Sequence, residues 1–382
     1  MSDLITPTGR VHWVGTGLST GSGLGLVCDR AAGVVLWGRT RQKAEDRLAA
    51  LGLAGRAETR EFGLAPLAAE VEAGDLVVSM LPAAHHAGLL RLCLGSRAHF
   101  AASSYVSAEI SALAAGAAEA GVVVLTEAGL DPGIDHLLAH LLVAEARAAV
   151  GNGAASAVFT SYCGSNPAEP NDFRYRFNWA PRGVLTALLT PARYIGGGER
   201  RAVDRPWEAV GDLVLGEERF EVYPNRDSVP FVEQYGLPGS WRLDTFVRGT
   251  IRLSGWKEAW APVFAELRDA DDERIGDLAR RLALRYPGTE TDHDRVLLSV
   301  ALSVRGDDGS AWSGEYVLDA VGDEKEAATP RLVSTALACG IGDILAGLTP
   351  PGLHRAAEEP EAARRWLTAL EGHGITCAFR RP

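Results

Sequence analysis

An α/β chain is predicted, with a doubly wound parallel sheet first and an inserted, mostly antiparallel α/β domain after it. Two patterns and one composition carry that prediction. In the first third, short apolar runs alternate with helix-length segments, which is how parallel strands joined by crossover helices read. Beyond about residue 150 the runs grow longer and return on one another as hairpins do. A length of 382 residues, 47% hydrophobic and 23% charged, allows two domains that each bury a core.

Taken in order, the apolar runs place strands over 11–14, 34–37, 76–80, 98–102 and 122–125. Helices are expected over 18–30, 41–51, 64–72, 84–94 and 107–120, where Leu and Ala recur at helical spacing without β-branched runs. The second pattern places strands over 157–163, 173–179, 220–223, 245–253, 296–304 and 315–320, covered by helices near 257–268, 273–285 and 328–347. A last helix near 360–372 and a run over 375–379 read as one more αβ unit that returns to the first sheet. The domains are thus 1–131 together with 348–382, and 132–347.

Charge narrows the partners. Against 38 Lys and Arg stand 49 Asp and Glu, a formal net charge of −11, which repels a phosphate backbone and argues against nucleic acid. No apolar stretch approaches the roughly 20 residues that span a bilayer, and Met1-Ser2-Asp3 does not open a signal peptide, so a cytoplasmic protein is expected. The five cysteines, Cys28, Cys93, Cys163, Cys339 and Cys377, are odd in number, scattered and never in C-x-x-C, so reduced thiols are expected rather than disulfides or structural zinc.

The first strand leads into Gly15-Thr16-Gly17-Leu18, then Gly21 and Gly23 at a helix start. Glycines there let the backbone approach a pyrophosphate while a helix N-terminus offers N–H groups, so the first domain reads as a Rossmann-type dinucleotide fold. The spacing is G-x-G-x-x-x-G, a loose form of the fingerprint. Where NAD would call for a carboxylate at the end of the second strand, this chain has Trp37-Gly38-Arg39-Thr40. Arginine there suits a 2′-phosphate, so NADP(H) is expected in preference to NAD(H).

The other strands deliver Leu81-Pro82, Ser103-Ser104-Tyr105 and Glu127-Ala128-Gly129-Leu130-Asp131 to the same sheet edge, where open parallel sheets bind ligands. Asp131 and Pro132 are favoured N-cap and N1 residues for the following helix. His136 and His140 share a helix face, but no third metal ligand is evident and no metal is expected. His85-His86 follow Pro82 and are expected to begin a helix in solvent. No G-x-S-x-G elbow or Walker loop is present.

Several ordered motifs go further. Ser103-Ser104-Tyr105-Val106-Ser107, then Glu127 through Asp131-Pro132-Gly133-Ile134-Asp135-His136, then Ser161-Tyr162-Cys163-Gly164 resemble the saccharopine dehydrogenase (saccharopine reductase) family. So do Tyr175-Arg176-Phe177-Asn178-Trp179, Tyr223-Pro224-Asn225-Arg226-Asp227-Ser228 and Val247-Arg248-Gly249-Thr250-Ile251-Arg252. The resemblance implies a second domain that holds substrate and serves dimerisation. It also implies reversible hydride transfer between a nicotinamide and the C–N bond of saccharopine, the imine of α-aminoadipate semialdehyde and glutamate once reduced. By motif, Ser104, Tyr105, Asp131, Arg226, Thr250 and Arg252 would contact substrate, with Cys163 beside the reacting centre. Ser103, Ser104, Glu127, Gly129, Leu130 and Gly133 would line the nicotinamide with Leu81 and Pro82. This chain departs from the pattern at Ser165, where a second glycine is usual, and at Arg176, where lysine is usual.

The chemistry asks for cations. A substrate with three carboxylates suits arginine, whose planar fork stays charged when buried. Arg174, Arg176, Arg226, Arg248 and Arg252 lie on or between the second-domain runs, and Arg248, Thr250 and Arg252 share one strand face and are read as ligands. Proton traffic has four candidates, Asp131, Tyr105, Cys163 and His136, of which the first three are taken as catalytic. Two other readings stay open: a related imine-forming reductase for another amine–aldehyde pair, of the carboxynorspermidine-synthase kind, and a noncatalytic nucleotide sensor on this fold.

Overall fold

The computed structural model describes residues 3–177, 181–287 and 292–381. In chain order the first stretch runs β1 (Arg10–Val14), α1 (Gly23–Arg30), β2 (Gly33–Gly38), α2 (Arg41–Ala50), β3 (Glu58–Glu61), α3 (Leu64–Glu70), β4 (Leu76–Ser79), α4 (His86–Ser96), β5 (His99–Ala102), α5 (Ala108–Ala114), α6 (Ala117–Ala120) and β6 (Val123–Thr126). The middle follows with α7 (Ile134–Val150), β7 (Ala155–Pro167), α8 (Pro181–Leu188), β8 (Ala192–Gly196), β9 (Glu199–Val203), β10 (Gly211–Leu215), β11 (Glu218–Pro224), α9 (Phe231–Gln234) and β12 (Trp241–Leu253). The chain then runs α10 (Trp256–Ala259), α11 (Ala261–Leu267), α12 (Asp272–Arg285), β13 (Asp294–Gly306), β14 (Ala311–Val321), α13 (Ala328–Leu345), β15 (Gly352–Arg355), α14 (Pro360–Glu371) and β16 (Ala378–Arg380).

Two compact units result, Met1–Leu137 with Pro330–Gly374 and Leu138–Thr329 with Ile375–Pro382. Helices α7 and α13 each continue unbroken through a change of unit.

The first unit holds a seven-stranded sheet ordered β15-β6-β5-β4-β1-β2-β3, and every strand pair in it is parallel. Strand alternation sorts its core. Val14, Val35, Trp37, Val77, Phe100 and Val124 face Leu67, Leu89, Leu90, Cys93, Ile110 and Ala117 of α3 to α6. On the opposite side α13 packs so closely that a Cβ at Gly340 would overlap Leu125 of β6. Helices on both faces are what continuous Val/Leu runs demand.

The second unit's sheet is ordered β10-β11-β12-β7-β13-β14-β16, with β8 and β9 branching from β12. Its pairings are antiparallel except one: β12 and β7 run parallel at its centre. An aromatic core of Phe173, Tyr175, Tyr223, Trp256, Trp260 and Phe264 is closed by Val184, Leu185, Leu278 and Leu282 of α8 and α12.

Three expectations are corrected here. Residues 173–177 form no strand: Asn171 accepts from the Tyr175 N–H at 3.2 Å and donates to its carbonyl at 2.9 Å, and Arg174 takes a left-handed φ of 52°. This turn sends Phe173, Tyr175 and Phe177 into one cluster instead of alternating them, while Asn178 and Trp179 lie outside the described residues. The final strand does not return to the first sheet. β16 pairs antiparallel with β14, covering Tyr316 with Phe379, and it is β15 that extends the parallel sheet beside β6. Strands β3, β8, β9 and β10 come in addition to those expected, β3 and β9 being polar edge runs whose outward charges hide the pairing. Among the described residues no helix is long and apolar enough to cross a membrane.

Candidate functional site

The glycine loop after β1 is fixed by its own neighbours. Gly15 has φ of 121°, a conformation side chains avoid, and a Cβ there would stand 3.0 Å from the Met80 backbone. The Thr20 hydroxyl donates to the Gly15 carbonyl at 2.9 Å and accepts from the Trp13 indole N–H at 3.2 Å, while Arg47 donates to the Gly17 carbonyl at 3.0 Å. Gly23 permits a close approach, since a Cβ would overlap the Ser334 backbone of α13, whose hydroxyl accepts the Gly23 N–H at 3.0 Å.

At the start of α1 the first amides have partners within the protein. The amides of Gly23, Leu24 and Gly25 at the start of α1 already donate, to Ser334, Gly21 and Ser22. The amides of Thr16, Gly17 and Leu18 have no partner among the described residues, and Gly17 and Leu18 are exposed. Arg39 follows β2, exposed and without a carboxylate or hydrogen-bond partner among the described residues; Thr40 caps α2 by accepting the Lys43 N–H at 3.3 Å.

At the ends of β5 and β6 the predicted residues do come together. The Tyr105 hydroxyl donates to Asp131 Oδ1 at 2.6 Å. Asp131 is not the cap of α7, nor Pro132 its first residue, because the helix starts only at Ile134 after a tight turn. In that turn the Gly129 N–H meets the Pro132 carbonyl at 2.9 Å, the Ile134 N–H meets the Gly129 carbonyl at 2.9 Å, and the Gly133 N–H meets Asp135 Oδ1 at 2.7 Å. Glu127 is buried, and its carboxylate accepts from the Val106 N–H at 2.9 Å and stands 3.0 Å from His136 Nε2. Ser103, Ser104 and Leu81 are half-buried, Pro82 is exposed, and Leu130 is buried. His86 is buried too, contrary to a solvent placement: its Nε2 lies 2.9 Å from the Leu81 carbonyl, and burial holds its pKa below the ordinary imidazole range.

In the second unit, Arg248, Thr250 and Arg252 alternate along β12 on one face, all buried, and Thr250 is in register with Cys163 of β7 and Tyr223 of β11. Arg248 lies over the Phe231 ring at 4.0 Å. The Arg252 guanidinium sits 4.9 Å from the Tyr175 ring and 5.7 Å from those of Tyr223 and Trp256, and donates to the Tyr223 hydroxyl at 3.2 Å. Its Nε is buried without a hydrogen-bond partner, and no carboxylate pairs with it among the described residues. Arg176 likewise has Nε and Nη1 buried without partners. Arg226 is exposed in the turn after β11, with φ of 58° and its carbonyl accepting the Arg193 N–H at 2.8 Å.

Residues 129–375 match the saccharopine dehydrogenase C-terminal domain, and residues 11–125 match the saccharopine dehydrogenase NADP binding domain. The chain belongs to the saccharopine dehydrogenase family. It is 34% identical over 262 residues to the NADP(+), L-glutamate-forming saccharopine dehydrogenase of Pyricularia oryzae, covering 66% of this chain and 56% of that protein. It is 35% identical over 206 residues to the mitochondrial alpha-aminoadipic semialdehyde synthase of Bos taurus, covering 50% of this chain and 21% of that protein. The matched part thus spans little more than half of the first relative and about a fifth of the second. The apo saccharopine dehydrogenase (L-Glu forming) of Saccharomyces cerevisiae shares the fold, with a TM-score of 0.84 at 23% identity over 98% of this chain and 99% of that one.

Within this saccharopine dehydrogenase family member, the departure at Ser165 has a structural account. Asp294 accepts the Ala328 N–H at 2.6 Å and the Thr329 N–H at 2.9 Å, capping α13, and the Ser165 hydroxyl lies 3.1 Å from Thr329 Oγ1 and 3.4 Å from Asp294. The hydroxyl joins that cap. Ser334, Thr20 and Arg47 are the supporting residues that sequence reasoning missed, and Ser334 lies 311 positions from the glycine it serves.

Proposed function

We propose that the chain catalyses NADP(H)-dependent, reversible hydride transfer at the C–N bond of saccharopine. In the oxidative direction the protonated secondary amine gives up one proton from nitrogen and a hydride from carbon, leaving an iminium. Water then cleaves the iminium to glutamate and α-aminoadipate semialdehyde. Arg252 carries this reading: a buried guanidinium packed among aromatic rings, with Nε unpartnered, is costly until a carboxylate meets it. A polycarboxylate amino acid supplies one.

The first unit suits NADP(H). The loop amides of Thr16, Gly17 and Leu18 would receive the pyrophosphate, and exposed Arg39 with Thr40 would receive the 2′-phosphate. Gly15 keeps that loop open, and Leu81, Pro82, Ser103, Ser104, Gly129, Leu130 and Gly133 are assigned to the nicotinamide end; Glu127, expected there from the motif, is left out of that set because Val106 and His136 take its carboxylate. The bound dinucleotide supplies or accepts the hydride, which asks orientation rather than acid–base work of the protein. The proton is handled by Tyr105 and Asp131, whose 2.6 Å bond holds a hydroxyl proton on a carboxylate that can also steady the iminium by charge. Ser104, Arg226, Arg248 and Thr250 are assigned to substrate with Arg252, and Cys163, in register with Thr250, to the wall beside the reacting carbon. Five free thiols suit the cytoplasm we propose as the compartment, and a homodimer is the assembly we propose.

Nicotinamide absorbance with saccharopine, offering NADP and NAD separately, tests this. Reduction of NADP with release of glutamate is expected. Turnover with NAD alone would remove the role given to Arg39, and no turnover with either removes the substrate assignment.

A further inference from the structure

Glu127 does something the reading above does not require of it. It is the last residue before the turn that carries Asp131, it is buried, and its φ of 52° puts a non-glycine residue in the left-handed region. Such a backbone is held only where its surroundings over-determine it. Three bonds do so here. Its N–H donates to the Ser104 carbonyl at 3.1 Å, one carboxylate oxygen accepts the Val106 N–H at 2.9 Å, and the other stands 3.0 Å from His136 Nε2. Ser104 and Val106 flank Tyr105, so Glu127 grips the Tyr105 loop on both sides of the tyrosine.

The imidazole is gripped in turn. His136 is fully buried on the first turn of α7, with Nε2 facing Glu127 and Nδ1 3.4 Å from Asp135 Oδ2. Asp135 Oδ1 receives the Gly133 N–H at 2.7 Å, two residues beyond Asp131. The contacts run Val106, Glu127, His136, Asp135, Gly133, with Asp135 and His136 at ion-pair distance and the others hydrogen-bonded, and they flank the Tyr105–Asp131 contact. Each carboxylate in the chain is committed to a backbone amide at one oxygen and to the imidazole at the other, which is an arrangement for holding loops in place.

We propose that Glu127 and His136 are positioning residues for the Tyr105–Asp131 pair, acting by tying the loop after β5 to the turn after β6. The proposal rests on the assignment of Tyr105 and Asp131 to proton handling. It separates Glu127 from a nicotinamide ligand, whose loss would weaken dinucleotide binding, and from a proton carrier, which an amide could not replace.

The test is steady-state kinetics with saccharopine and NADP, alongside NADPH binding by fluorescence, on Glu127→Ala, Glu127→Gln and Asp131→Asn. Removing the cross-link in Glu127→Ala is expected to lower kcat about tenfold or more with NADPH affinity and the KM for NADP within about twofold, the size that misplacement of a catalytic group produces. Glu127→Gln, whose amide can still accept from Val106 and donate to His136, is expected to recover kcat to within about threefold of the parent. If Glu127→Ala does not fold, His136→Leu, which removes the partner of the Glu127 carboxylate, takes its place with the same expected split. A Glu127→Gln variant as slow as Glu127→Ala, an Ala variant as fast as the parent, or a loss confined to NADPH affinity overturns the proposal. Asp131→Asn distinguishes the two levels: if it turns over like the parent, the underlying assignment has failed, whereas if it alone is slow, the positioning role has.

Discussion

The two units keep their polar groups in opposite conditions. Around Tyr105 in the first unit, polar side chains pair within the protein: Tyr105 on Asp131, Glu127 on Val106 and His136, Asp135 on Gly133. Around Arg252 in the second, a guanidinium is buried against three aromatic rings with one nitrogen unpartnered and no carboxylate beside it among the described residues. On the function proposed above, a substrate carboxylate would supply the counter-charge that Arg252 lacks among the described residues. A protein that bound no anion would be expected to place its own carboxylate against Arg252, as it does against Arg295, which Asp319 and Glu218 both grip. Preorganised geometry for the proton and an unfilled charge for the carboxylate are separate solutions, and they should fail separately.

Asp131→Asn removes the acceptor charge while keeping the shape, so turnover should fall about a thousandfold if the carboxylate serves in acid–base work, with saccharopine binding far less affected. A parallel loss in binding would erase the distinction between the units. A smaller effect is expected from Arg39→Ala. The KM for NADP should rise about tenfold, the size of one charge-assisted contact, and the KM for NAD should not move, as initial rates with each nucleotide will show.

The smallest effect concerns stability near the same network. Burial holds the Glu358 carboxyl above its ordinary range; Arg355 and then His136 pull it back, and Glu127 and Glu359 push it further up. A raised carboxyl pKa means that the folded state binds more protons than the unfolded one above the ordinary glutamate range of about 4.3, so stability falls as pH climbs through the folded value. Glu358→Gln should therefore shift the denaturation midpoint upward at pH 8 relative to the parent, with the difference vanishing towards pH 4. An unchanged midpoint across that range would show that the carboxyl carries no penalty.

Much of the first unit could be read from sequence because its signals are local. The run before Gly15, the arginine after β2 and the motif around Asp131 each point within a few residues to the sheet edge where these strands end. The second unit was legible where strands alternate, which put Arg248, Thr250 and Arg252 on one face of β12. What escaped depends on distant partners or on side-chain bonds that override pattern. Asn171 turns the chain where Phe173 to Phe177 alternate like a strand, and the register of β12 with β7 is parallel although both lie among hairpins. The cap expected at Asp131 failed because its carboxylate is taken by Tyr105 and the helix starts three residues later. His12 gave no signal as a buried polar link, yet its Nε2 lies 3.2 Å from Asp75 and its Nδ1 accepts the Trp37 indole N–H at 3.3 Å.

The claim that Arg252 awaits a substrate carboxylate is most directly tested by the dissociation constant for saccharopine, measured calorimetrically on the parent and on Arg252→Met, whose apolar side chain suits the aromatic surroundings. Affinity on the order of 100-fold weaker, with NADPH binding unchanged, is the predicted result. Equal affinity in the two proteins would contradict it.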